Sequence, residues 1–403
     1  MNAASDETEA RPIRVCFVVT AASTLYYLCL PQIHDLEARG VKLTAVSSPG
    51  PEVPWLREAG VDLKLVPMAR RPSPLRDLVS LVRLWWFLVR HRYDVVHVST
   101  PKAALIGALA ARLSGHRQVV FTLRGRVYEN ATGLRRRLLA GMDWLVCRLA
   151  RRVNPICREL GEAAVREGIC SPEKIRLLGH GSSTGVDLKR YSQSADLLDT
   201  AAQLRREIGV AADDLVILCL GRIRREKGIE ELVRAFTRLA KRRPKVHLLL
   251  VGSQEEADPL DPDIDRQIEQ HPRIHHLPWQ QDPAAAYAAA DLLAFPSHRE
   301  GFGNVALEAA AMELPVVASD VMGCRESVER DVTGLLVPLG DDAALAAAME
   351  RLIDHPELRR KLGQAGRRRV ETLFRQEIIW EGMMRQYHEL ARRGRREASG
   401  PTA

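Results

Sequence analysis

The sequence predicts an α/β protein made of two Rossmann-like domains in tandem, with parallel sheets facing each other across a cleft. Three observations carry that prediction. The chain has 403 residues, too many for one ordinary hydrophobic core. Short β-branched runs alternate with longer helical patterns almost throughout, the signature of βαβ units. A second series of such runs starts afresh after a polar, strand-free stretch.

The first series opens with IRVCFVVT at residue 13 and continues through VKLTAVSS, VDLKLVP, DVVHVS, QVVFTL and KIRLLGHG. The second opens with LVILCLGR at residue 215 and continues through VHLLLVGS, RIHHLPW, DLLAFPS, LPVVASD and TGLLVPL. These runs place the first domain at residues 12–190, a linker with a helix at 191–212 and the second domain at 213–375. A C-terminal helix at 376–391 can pack back on the first domain, and the tails, 1–11 and 392–403, read as disordered. Ligands of open parallel sheets sit outside the carboxyl ends of the strands, so the cleft is the expected site.

Composition narrows the function. The greasiest window, LVSLVRLWWFLVR, is interrupted by Arg83 and falls short of the roughly 18 to 20 apolar residues that a bilayer requires. The N-terminus is acidic and polar, without the pattern of a secretory signal. The seven cysteines are scattered with no C-x-x-C pair, which is thiol usage in a reducing compartment and not a disulfide frame or zinc site. A cytoplasmic location is expected.

The net charge of +8 is uneven: residues 70–180 hold 21 Lys and Arg against 8 Asp and Glu. That surplus either meets an anionic partner or forms a solvated face. Few aromatics and no zinc-finger, RNP or KH pattern argue against nucleic acid; a phospholipid surface or a phosphorylated ligand fits better. The loop after the first strand, TAASTLYYL, lacks G-x-G-x-x-G, which counts against a dinucleotide dehydrogenase.

Two segments carry chemistry. In REGFGNVALEA, residues 299–309, Gly301 and Gly303 let main-chain amides approach a ligand, and the helix start behind them favours negative charge. Glu300 lies on the loop, and Glu308 about one turn into the helix. In GRIRREKGIEELVRAF, residues 221–236, Arg222 and Lys227 follow the first strand of the second domain and can clamp a diphosphate without a metal ion. Arg224, Arg225 and Glu226 read as loop surface. Either segment alone is also compatible with a solvated helix start.

Together, in this order and spacing, the two segments resemble the retaining glycosyltransferases of family 4, which have the GT-B fold. PSHREGFGNVALEAAAMELPVVASD and TGLLVPLGD are the sharpest part of the resemblance. STPKAALIGALAARL, FTLRGRVYE and LGHGSSTGVD bring it nearest to the capsular and O-antigen type that acts on lipid-linked acceptors. The resemblance implies a nucleotide-sugar donor, with UDP expected, and no cofactor or metal. Arg222 and Lys227 would hold the departing diphosphate, Glu300 would contact the donor sugar, and Glu308 would bind ribose hydroxyls. Gly301, Phe302, Gly303 and Asn304 would support sugar and phosphate through their amides. The catalytic set expected is thus Glu300, Arg222 and Lys227.

Where many members have Thr-x-His-Gly, this chain has Thr122-Leu123-Arg124-Gly125. Arg124 cannot serve as a neutral base but can bind phosphate, and Lys102, Arg124 and Arg126 are candidates for the acceptor phosphates. DPDID, residues 261–265, imitates a metal motif but sits where aspartates cap helix amides. His97 ends a strand near the expected cleft and suits a core role equally.

Two further segments, LRDLVSLVRLWWFLVRHR (75–92) and LRRRLLAGMDWLVCRLARRV (134–153), combine Arg clusters with Leu and Trp. Arg76, Arg83 and Arg90 fall along one stripe. Such helices either lie on an anionic membrane or cover the first sheet with a basic outer face. The expectation is a peripheral enzyme on the inner face of the membrane that glycosylates a polyprenyl-diphosphate-linked sugar. A GT-B sugar-nucleotide epimerase and a non-catalytic nucleotide-sugar binder are the alternatives.

Overall fold

A computed structural model describes residues 11–69, 73–129 and 131–399. The chain forms two compact units: one runs to Gly179 and resumes at Glu377, and the other spans His180 to Gln376. Of the expected tails, residues 1–10 and 400–403 lie outside the described residues.

The first unit holds six parallel strands: β1 (Ile13–Val18), β2 (Val41–Ser47), β3 (Asp62–Leu65), β4 (Val95–Ser99), β5 (Val119–Leu123) and β6 (Arg152–Pro155). Their order is β3-β2-β1-β4-β5-β6. Central strands of such a sheet are covered on both faces, which is why every residue of β4 and β5 is buried, the polar His97, Ser99 and Thr122 included. The edge strand β3 alternates exposed and half-buried residues instead.

The sixth strand is not where the sequence placed it. KIRLLGHG forms no strand; Ile175 makes a single bridge to Val153, and the strand is Arg152–Pro155. Helix Gly133–Leu149 ends before it, so the helical segment read as running to residue 153 contains a strand. Asn154 and Pro155 conceal it, because proline is tolerated at a sheet edge but reads as a break. Buried Asn154 is satisfied by a reciprocal pair of hydrogen bonds with Gln386, at 2.8 and 3.0 Å.

The C-terminal helix spans Gln376–Ser399, so residues 392–399, expected to be disordered, are helical. Met383, Tyr387, Leu390 and Ala391 enter the core formed by β1 and β2. The last turns are held by ion pairs from Arg393 to Glu397 (2.9 Å) and Arg395 to Asp94 (3.3 Å), and by Gln118 donating to Glu397. Long-range partners of this kind do not show in local composition.

The second unit repeats the design with β7 (Leu215–Leu220), β8 (Val246–Val251), β9 (Ile274–Leu277), β10 (Leu292–Phe295), β11 (Val316–Ser319) and β12 (Gly334–Val337). All six coincide with the sequence expectation. Their order, β12-β11-β10-β7-β8-β9, is that of the first sheet. The unit begins about ten residues before the expected linker, because residues from His180 onward bond within it. Val186 donates its amide to Phe374 O (2.8 Å), and Gln376 donates back to Val186 O (3.1 Å). Helix Ala195–Glu207, capped by Ser194, packs on helix Ala284–Ala288 and is part of this unit and not a free linker.

Candidate active site

In each sheet the strand order reverses at one place, between β1 and β4 and between β7 and β10, and ligands of open α/β sheets bind beyond the strand ends at such a point. In the second unit the loops leaving β7 and β10 are the two segments that the sequence singled out.

Two glycines set the path after β7. Gly221 and Gly252 have φ of +145° and +154°, and a Cβ on Gly252 would lie 1.8 Å from the Gly221 carbonyl oxygen, so only glycine permits this crossing. The chain then makes one tight turn, Arg225–Lys227, and Gly228 (φ +69°) opens helix Ile229–Ala240. A Cβ on Gly228 would stand 2.1 Å from the Pro296 carbonyl oxygen, so the turn lies directly against the β10 loop. The two loops are tied by His298 donating its amide to Glu226 O (2.9 Å) and by the ion pair Arg299–Glu226 (2.9 Å), and the His298 ring is hydrogen-bonded to Glu231 in the helix that follows (3.0 Å).

This fastening brings the Lys227 ammonium onto the Glu300 carboxylate, both largely screened from solvent. Arg222 is not drawn to either: its side chain is 58% exposed and paired with Glu255 at 3.0 Å. Arg224, expected at the loop surface, is instead clasped by Glu226, Glu255 (2.7 Å) and Asp258 (3.2 Å) and fixes the loop. Glu255 and Asp258 follow β8, too far along the chain for local pattern to pair them with Arg224.

After β10 the chain turns through Gly301 and Gly303 (φ +79°) into helix Asn304–Ala311, whose start no side chain caps. Backbone is packed tightly here, since a Cβ on Gly323 would meet Glu300 O at 2.6 Å and Phe302 N at 2.7 Å. The Phe302 ring is buried against Phe374, 5.5 Å between centroids, which leaves only its main chain to face a ligand. Asn304 accepts a hydrogen bond from Ser182 Oγ (3.1 Å). The edge therefore offers two cations, a carboxylate and an uncapped helix N-terminus, a set suited to holding a phosphorylated group.

Glu308 has partners that the sequence did not suggest. The Tyr287 hydroxyl donates to it at 2.8 Å, and Tyr287 and Tyr191 meet edge to face at 5.7 Å. Burial pushes the Glu308 carboxyl up, opposed by hydrogen bonds from Tyr287 and Tyr191 and by the charge of Arg190. Arg190 lies over the Tyr191 ring and pairs with Asp282 at 3.1 Å. The only signal was Lys-Arg-Tyr, residues 189–191, hidden where the expected first domain runs into the expected linker.

At the carboxyl edge of the first sheet, Thr20 after β1 and Thr100 after β4 share a hydroxyl hydrogen bond of 2.8 Å across the reversal point. Thr100 takes a left-handed conformation (φ +68°) and opens helix Pro101–Leu113 without a side-chain cap. Arg124 Nε donates to Ser99 Oγ at 2.8 Å. Lys102 pairs with Asp77 at 2.8 Å, and Arg126 is held by Glu129 and by Glu167 at 2.7 Å. His97 is a core residue, bonded through Nδ1 to the Tyr387 hydroxyl (2.5 Å) and through Nε2 to Thr122 Oγ1 (2.7 Å), and burial lowers its pKa to about 3. In DPDID, Asp261 accepts the Asp263 amide as a helix cap.

Helix Pro74–Arg90 buries Ser80, Leu84 and Leu88 and turns Leu75, Leu78, Val79, Val82, Trp86 and Val89 to solvent. Arg90 lies 3.6 Å over the Trp86 ring. Helix Gly133–Leu149 likewise exposes Leu134, Leu138 and Trp144. A helix that merely covers a sheet turns such side chains inward. Among the described residues, no helix is long and apolar enough to cross a membrane.

Known proteins agree with this architecture. The family Glycosyltransferase Family 4 matches residues 32–189, and Glycosyl transferases group 1 matches residues 201–369. The capsular polysaccharide biosynthesis glycosyltransferase CapM of Staphylococcus aureus is 32% identical over 358 residues, 89% of this chain and 92% of that protein. The UDP-Gal:alpha-D-GlcNAc-diphosphoundecaprenol alpha-1,3-galactosyltransferase of Escherichia coli is 25% identical over 310 residues, 76% and 78% of the two chains. The crystal structure of Anabaena HepE in complex with UDP and glucose has a TM-score of 0.78 at 22% identity, covering 93% of this chain and 99% of that one. That last likeness is one of fold.

Proposed function

We propose, on the premise that this chain belongs to glycosyltransferase family 4 and has its GT-B fold, that it moves a sugar from a UDP-sugar to a polyprenyl-diphosphate-linked glycan with retention of configuration. The chain is a glycosyltransferase of polysaccharide biosynthesis; donor, acceptor and stereochemistry are the finer reading. One observation carries it: the loops after β7 and β10 are locked together so that Lys227 and Glu300 meet beside an uncapped helix start.

In this reading the diphosphate lies on Lys227, Arg222 and the amides from Gly301 to Asn304. As the anomeric bond breaks, negative charge grows on the leaving phosphate and is met by cations already in place, the kind of preorganised stabilisation that lowers a barrier most. Lys227 then trades part of its contact with Glu300 for phosphate, which leaves the Glu300 carboxylate to accept from a sugar hydroxyl. Glu308, held by Tyr287, accepts from the ribose. Retention follows if the acceptor hydroxyl attacks on the donor's own face and passes its proton to the leaving phosphate.

The exposed apolar stripe of helix 74–90 and the Leu and Trp of helix 133–149, flanked by arginines, support attachment to an anionic membrane surface, where a lipid-linked acceptor resides. A mass-spectrometric screen of UDP-sugars against polyprenyl-diphosphate sugars tests the reading. Transfer of one sugar with release of UDP is expected; UDP release, or an altered sugar nucleotide, without need of acceptor contradicts it.

A further inference from the structure

The three acceptor-side cations are not equivalent. Arg126 is neutralised by Glu129 and Glu167, and Lys102 by Asp77. Arg124 has no such partner. Its Nη1 is shut off from solvent without a hydrogen-bond partner, and among the described residues no carboxylate pairs with it. The groups around it are neutral: Ser99, which accepts from Nε; Cys29, a buried thiol; and His97, held between Tyr387 and Thr122. Nη1 is thus buried with neither a hydrogen-bond partner nor a counter-charge while the side chain as a whole stays partly exposed, a costly arrangement that a fold serving only itself avoids.

Its position gives that cost a use. Ser99, which fixes the guanidinium plane, directly precedes Thr100, where helix Pro101–Leu113 begins without a side-chain cap. The positive end of a 13-residue helix and an unpaired guanidinium thus adjoin at the carboxyl edge of the sheet, beside its reversal point.

We propose that Arg124 is the receptor for one oxyanion carried by a substrate, with Ser99 as its positioning residue. The chemistry admits two sources, a phosphate of the lipid diphosphate or a carboxylate on a sugar; both accept the paired N–H groups of a guanidinium, which an ammonium or an imidazole does not offer. Arg126 is excluded from that role by its two carboxylates. The proposal takes its assay from the glycosyltransferase reading, but its binding test stands apart from catalysis.

The test uses the full chain and the variants Arg124→Gln, Arg124→Lys and Ser99→Ala. Inorganic pyrophosphate is titrated with UDP present at saturation, so that the nucleotide site is closed to it. Wild type should bind, Arg124→Gln should lose at least about 10-fold in affinity, and Arg124→Lys should fall between. Without ligand, Arg124→Gln should melt at a Tm equal to or a few degrees above wild type, since a partly buried unpaired charge has gone, and pyrophosphate should raise the Tm of wild type more than that of Arg124→Gln. Equal pyrophosphate binding by wild type and Arg124→Gln, or a lowered Tm with loss of activity on every acceptor alike, overturns the proposal. Turnover identifies the source. If it is the lipid phosphate, Arg124→Gln loses about 100-fold in kcat/KM on a diphosphate-linked sugar and little on the same sugar with a neutral alkyl aglycone. If it is a carboxylate, the loss follows uronic acid against hexose substrates.

Discussion

The two units share one strand order and yet treat charge at their carboxyl edges in opposite ways. In the second unit, the cations of the loop after β7 are already matched: Lys227 by Glu300, Arg222 by Glu255, and Arg224 by three carboxylates. In the first unit, Arg124 is left with an unpaired buried N–H, and apolar helices face outward. The matched edge is preorganised, since its charges are held before any ligand arrives and need little rearrangement during reaction. The unmatched edge is incomplete and waits for something outside the chain to finish it.

Removing a cation from the matched edge should have the largest effect. Lys227→Ala should lower kcat by about 100- to 1,000-fold, about 3–4 kcal/mol in barrier, with unfolding unchanged. Near wild-type turnover in a steady-state assay would falsify the role given to this edge.

Next comes the outward face of the first unit. Replacing Leu78 and Trp86 by serine should cut partition onto anionic vesicles by about 100-fold, from about 1.5–3 kcal/mol for each buried apolar side chain, with a much smaller loss of stability, because both are half exposed in the folded chain. Flotation that is unchanged by this double substitution counts against membrane attachment.

A smaller change is expected at Glu308. Its pKa is raised by burial, so acidification should protonate it above the ordinary carboxylate range and weaken UDP binding from there downward. Glu308→Gln should lose about 10-fold in affinity at neutral pH and no longer show that acid limb when titrated by calorimetry.

The smallest effect concerns stability alone. Asp143, buried in the first unit with Oδ2 unpartnered, has its pKa pushed up to about 7 by desolvation. Such an acid holds its proton more tightly when folded than unfolded. Its contribution is therefore most favourable below pH 4 and is lost as pH rises to about 7. Asp143→Asn should stabilise the protein at pH 8 and leave it unchanged at pH 4, as read by urea denaturation.

What could be read from the sequence follows the same division. All six strands of the second sheet and both of its ligand loops were legible, because Gly221, Gly228, Gly301 and Gly303 punctuate apolar runs at fixed offsets. The last strand of the first sheet was not, since Arg152–Pro155 carries polar and proline residues at an edge, and KIRLLGHG has a better pattern but makes a single bridge, Ile175 to Val153. The Tyr287–Glu308 contact, the carboxylates that fix Arg224, and the lack of one paired with Arg124 among the described residues all depend on residues distant in the chain. Arg124 itself stood out by departing from the Thr-x-His-Gly pattern, but its unpaired state is a property of the fold alone.

The central claim is that the locked loops after β7 and β10 grip the diphosphate of a uridine nucleotide. Calorimetric titration of UDP into the full chain and into Lys227→Ala tests it most directly. Saturable binding by wild type, weakened at least about 10-fold in the variant with an unchanged melting curve, is the predicted result; identical affinities, or no binding of UDP by the intact protein, contradict it.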